Sequence, residues 1–218
     1  SDLVDRSVVL VRATLEQLSL GVDILGIIAE VRKAKVTADF YLGLPVDEQH
    51  AAIANLIGRV TLPDAAAPAV ALLDTGVNRA HPLLAPIITD DDLHTHDPAW
   101  GVHDTWPHGT GMAGLALYGD FTDVFAHNGP VVIRHRLQSH KLIHPDHDHA
   151  PSLYGVVTIE GVSRLEVDPA PTRVYCMAIT TDGKDRGRPS SWSAAVDNLA
   201  AGVINDRRRL IILSAGNT

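Results

Sequence analysis

Ala69-Val70-Ala71-Leu72-Leu73-Asp74-Thr75-Gly76 is the stretch that decides the fold. Five apolar residues run without a polar break and end on a carboxylate and a turn. An amphipathic strand would alternate; an unbroken run of this length reads as a strand buried on both faces. Three more short runs bounded by turn residues read as strands beside it: Leu137–Ile143, Arg173–Ile179 and Leu210–Leu213. Helix-compatible stretches fall between them or flank them, most clearly Ala113–Tyr118, Leu153–Val162 and Ser193–Ile204. Strands alternating with helices predict an α/β fold whose parallel sheet carries helices on both faces.

Upstream the chain reads differently. Ser7–Arg12 is β-like, and Ile24, Ile27, Ile28 and Val31 mark one face of a helix from Asp23 to Lys33. A second helix is expected after Pro45, with Asp47 as N-cap and Ala52, Ile53, Leu56 and Ile57 on its buried side. Leu62–Pro68 sets small residues between two prolines and reads as a linker. The expected organisation is a small α/β region over 1–62, a linker over 63–68, and the main domain over 69–218.

At 218 residues the chain is long enough to bury a sizeable core. Lys+Arg 18 against Asp+Glu 26 leaves a net charge of −8, which excludes a uniformly basic nucleic-acid footprint. The lone cysteine, Cys176, rules out an intramolecular disulfide and a four-cysteine zinc site. No apolar run approaches the ~20 residues of a membrane helix. Ser1–Asp5 lacks the basic start of a signal peptide, and the missing initiator Met reads as an excised or processed chain.

In a parallel sheet, polar groups just past the carboxyl ends of strands face a common crevice. Asp74 follows one strand, and Asn217 follows Leu210-Ile211-Ile212-Leu213-Ser214 after Ala215-Gly216. His108 opens His108-Gly109-Thr110-Gly111-Met112-Ala113-Gly114, whose glycines let a helix start press close to its neighbours. Carboxylate, imidazole and carboxamide donor make up most of an acyl-transfer site. The acid fixes the tautomer of the base, the base takes a proton from a nucleophile, and the amide stabilises an oxyanion.

These three segments resemble the subtilisin-like serine proteases, the subtilases. Ala71–Val77 looks like their Asp motif, His108–Gly114 like their His motif, usually His-Gly-Thr-His-Val-Ala-Gly, and Ser214–Asn217 like the segment of the oxyanion asparagine. The order along the chain fits as well, and the resemblance covers about residues 69–218. It implies a serine endopeptidase acting on peptide or protein substrates without a cofactor. Asp74 would orient His108, His108 would act as general base and then acid, and Asn217 would donate to the oxyanion. Ala178, Ile179 and Thr180 would belong to a substrate-binding edge strand that pairs with an extended peptide. By the same resemblance, residues 1–62 invite comparison with a propeptide.

The sequence departs from the family in three places. Neither the family's Gly-Thr-Ser nor a Gly-x-Ser-x-Gly elbow occurs in these 218 residues, so the nucleophile is missing. The expectation is the N-terminal part of a longer protease, inactive alone; a non-catalytic module that binds peptides or a partner is the alternative. Gly111 replaces the second His of the motif, and Gly119–Pro130 does not show the family's calcium loop, so no metal is carried over. A sheet ending at Leu210–Leu213 would also favour self-association through its open edge.

The remaining clusters have plainer readings. Asp90-Asp91-Asp92 reads as a solvated loop, and Arg207-Arg208-Arg209 as a solvated helix end. His94, His96 and His103, with Asp97 or Asp104, lack the spacing of a helical zinc pair, and His140–His149 reads as a surface loop. A histidine-based metal-binding protein is the third reading. Cys176, in an apolar run, reads as a small buried hydrophobe.

Overall fold

A computed structural model of the chain describes residues 9, 11–19, 28, 30, 38–181 and 188–215. The chain divides into two compact units, Ser1–Gly43 and Leu44–Thr218. In the first, the described elements are α1 (Leu15–Ser19) and α2 (Ala38–Leu42). The strand expected over Ser7–Arg12 and the helix expected over Asp23–Lys33 fall for the most part outside the described residues.

The second unit opens with α3 (Val46–Ile57) and β1 (Val60–Thr61), followed by β2 (Ala69–Asp74), β3 (Leu93–Thr95) and α4 (His108–Tyr118). Next come α5 (Phe121–Ala126), β4 (Val131–Val132), β5 (Arg136–Lys141), α6 (Tyr154–Leu165), β6 (Arg173–Met177), α7 (Ser191–Ala201) and β7 (Leu210–Leu213). Five strands form one sheet in the order β3-β5-β2-β6-β7, and every pairing is parallel. β1 and β4 make a separate two-stranded ladder.

β2 is the middle strand, and its alternating side chains feed two cores. Leu72 joins Leu93 and Leu137 beneath Ala113 and Leu117 of α4. Ala71 and Leu73 join Tyr175 and Met177 beneath Val157, Val162 and Leu165 of α6 and Leu199 of α7. Helices therefore cover both faces, which is why the strand had to be apolar throughout. β7 is an outer strand, with Leu210, Ile212 and Leu213 exposed.

One expectation about the N-terminal stretch changes. Pro45, not Asp47, holds the N-cap position of α3, and it makes no side-chain cap bond. Asp47 lies within the first turn, where its charge still suits the helix dipole. The second compact unit begins at Leu44 and so includes α3. The apolar stripe of α3 faces inward: Leu56 is fully buried in the Leu72 core, and Ile53, Ile57 and Val60 pack against it.

The charged runs are less solvated than they read. Asp92 is buried and accepts from Arg136 Nη2 at 2.9 Å and Thr89 Oγ1 at 2.7 Å, while Asp90 and Asp91 are exposed. Arg209 is buried too and donates to both oxygens of Glu166, at 2.8 and 2.7 Å, tying the end of α6 to β7. Burial would raise the Glu166 carboxyl, but the bonds from Arg209 and Tyr175 outweigh it and hold the group below its usual range.

His140, on β5, is 2% exposed, and neither ring nitrogen has a hydrogen-bond partner among the described residues. Gly161 leaves room for the ring, since a Cβ there would sit 3.0 Å from its Cδ2. Burial, then the charges of His94, His96 and Arg164, push this imidazole down to about 3. The unfolded chain takes up that proton near pH ~6.5, so stability falls as pH drops below ~6.5 and keeps falling toward about 3. At about 1.4 kcal/mol per unit the loss reaches a few kcal/mol. Urea unfolding across pH 7 to 4 should show this decline, and His140→Leu should flatten it; equal slopes in the two proteins would refute the assignment.

Candidate active site

Asp74 is the last residue of the middle strand, and β2 delivers it to the carboxyl edge of the sheet, 1% exposed. Its Oδ1 accepts the Thr75 N–H at 2.7 Å and lies 2.8 Å from His108 Nδ1. His108 is the first residue of α4. A carboxylate can only accept, so Nδ1 carries the proton, and Nε2 is left as the basic nitrogen. The exposures are unequal: the aspartate side chain is 2% accessible and the histidine 47%. The ring is thus anchored on one side and open to solvent on the other.

Glycine makes the close approach feasible. Gly76 turns the chain after β2 with φ +98°, and a Cβ on Gly109 would run into the Gly76 carbonyl. Any side chain at 109 would push the start of α4, and His108 with it, away from Asp74. From the far side Lys141, the register partner of Asp74, is fully buried and donates from Nζ to the His103 carbonyl at 2.8 Å. Burial lowers its pKa and Asp104 opposes that shift. Lys141 pins the loop that leads into His108.

The other expected site residues are placed less closely. Asn217 lies outside the described residues; Ser214, three residues before it, donates its N–H to the Met177 carbonyl at 3.3 Å. β6 lies between β2 and β7, with Cys176 and Met177 paired to Ile212 and Leu213. Ala178, Ile179 and Thr180 continue past the last paired residue. Ile179 and Thr180 line a pocket of about 190 Å³ with Leu142, His149, Val157 and Trp192.

The histidine-rich segment is organised around an indole. His147 stacks on Trp100 at 5.9 Å between centroids, His144 and His149 lie at 5.5 and 5.6 Å, and His96 meets His149 edge-on at 4.8 Å. Among the described residues no group of three or more His, Cys, Asp or Glu is arranged to hold a metal ion. Cys176 is half-buried against the Leu72 core, and burial followed by the Asp74 charge raises its thiol pKa. Among the described residues no helix is long and apolar enough to cross a membrane.

Asp104, weighed in the sequence only beside a metal, instead binds the first turn of α4, accepting from the Thr110 N–H at 2.8 Å. Its one legible signal was a carboxylate four residues before His108. A buried acid and a half-open imidazole thus meet at the carboxyl edge of a doubly covered parallel sheet. The subtilase family model matches residues 65–218, more than half of the chain, and the chain belongs to that family. No curated protein and no solved structure matches it.

Proposed function

We propose that this chain supplies the acid and the base of a subtilisin-type serine endopeptidase. Asp74 holds His108 in the Nδ1–H tautomer and balances the imidazolium that forms when Nε2 takes the proton of a serine. Asn217 donates to the oxyanion, and Ala178–Thr180 with the adjoining pocket receive the substrate. The 2.8 Å contact between a buried carboxylate and a half-open imidazole carries this reading.

No Gly-Thr-Ser occurs in the 218 residues, so the chain by itself does not turn over peptide bonds. A module that binds peptides without cleaving them is the alternative. The two part at the reading frame beyond Thr218 and the protein it encodes. A Gly-Thr-Ser there, with a serine that reacts with a fluorophosphonate, supports the peptidase. A stop codon or a replaced serine, with peptide binding retained, supports the module.

A further inference from the structure

We infer that Asp104 is the positioning residue for His108, acting through Thr75 and the first turn of α4; this rests on the acid–base reading of Asp74 and His108. The helix α4 begins without a conventional cap, because Pro107 at the N-cap makes no side-chain bond to the first turn. The orphan N–H groups of that turn still need acceptors. Two side chains from outside the helix supply them. Gly109 N–H donates to Thr75 Oγ1 at 2.9 Å, and Thr110 N–H donates to Asp104 Oδ2 at 2.8 Å.

Asp104 then joins these bonds into one ring. Its Oδ1 accepts from Thr75 Oγ1 at 2.9 Å and from Trp106 N–H at 3.0 Å, and its Oδ2 also accepts from Thr110 Oγ1 at 2.7 Å. The ring passes through Thr75, next to Asp74, and through Gly109, next to His108. It fixes the two backbones from which the acid and the base project. The negative charge also sits at the positive end of the helix dipole.

The chemistry selects a carboxylate. Hydroxyl groups can rotate to suit a changed partner, but the Trp106 and Thr110 N–H groups are fixed, and each points at a different oxygen. An asparagine accepts on one oxygen only, so either orientation turns its NH₂ toward a backbone N–H. Asp104→Asn should therefore release one of the two N–H groups, that of Trp106 in the segment leading into His108 or that of Thr110 in the first turn of α4. His108 would then lose its hold on Asp74 without any change to either residue.

Long-range ¹H–¹⁵N spectra of the histidine rings in the 218-residue chain test this directly, with the His108 signal assigned by its loss in His108→Gln. The unsubstituted chain should show His108 as the Nδ1–H tautomer. Asp104→Asn should move it toward the Nε2–H form that a free imidazole prefers. A lowered unfolding midpoint with the Nδ1–H tautomer intact would make Asp104 a stability residue only and overturn the inference. Should Asp104→Asn not fold, Thr75→Val removes the bridging hydroxyl at constant shape, and Thr75→Ser restores it. Tautomer change in the first and recovery in the second support the ring; an unchanged tautomer in Thr75→Val overturns it. Absence of the Nδ1–H form in the unsubstituted chain would remove the Asp74–His108 pairing itself, and the positioning role with it.

Discussion

His108→Ala is expected to lower peptide hydrolysis on the order of 10⁶-fold in a polypeptide that carries these residues together with a serine nucleophile. Loss of the corresponding histidine in subtilisin has an effect of that size. The reason for so large a loss is that the triad works as a unit. A serine without a base is a poor nucleophile, and a leaving amine without an acid departs slowly. Asp74→Asn should cost about 10⁴-fold, the loss known for a triad aspartate changed to its amide. The Oδ1 that faces Nδ1 at 2.8 Å also accepts the Thr75 N–H, so an amide oxygen can keep that place while the charge that balances the imidazolium is lost. Turnover and fluorophosphonate labelling measure both. Labelling of His108→Ala at the unsubstituted rate would contradict the assigned base, and the pair would then be structural.

Leu56→Ala is the stability counterpart, with an expected loss of about 2–5 kcal/mol. Leu56 is fully buried and comes from α3, which the sequence placed in a separate region. Its side chain fills the core shared by Leu72, Leu137 and the inner face of α4. Domains of this kind are stable by about 5–15 kcal/mol, so one cavity removes a sizeable part of the margin. Denaturant unfolding of the whole chain should show a lower midpoint at an unchanged slope. A change below about 0.5 kcal/mol would mean that α3 is peripheral and that the division of the chain does belong near residues 63–68.

The parallel sheet was legible because short runs bounded by turn residues recur at domain-scale spacing, and the unbroken apolar run of β2 is the signature of burial on both faces. Asp74 and His108 were legible for a related reason: a strand end and a helix start are places where sequence position dictates spatial position. Asp104 and Lys141 were not, since a single polar residue in a loop or at a strand end has no period and reveals its partner only in three dimensions. Arg209 was misread because three consecutive arginines look solvated, and nothing local points to Glu166, 43 positions away. Two prolines around small residues are a sound linker signal, but which core the apolar stripe of α3 joins is not written in its period. Asn217 was read from its place just past the Leu210–Leu213 run and from its motif.

Trp100 has an optical consequence. Protonated imidazole quenches indole emission, and this indole is ringed by His144, His147 and His149. Two of those rings, His147 and His149, also form a wall of the pocket beside Ile179 and Thr180. A ligand in that hollow is expected to shift the rings, and the emission of Trp100, together with that of Trp192 in the wall itself, would register its arrival without any label being attached.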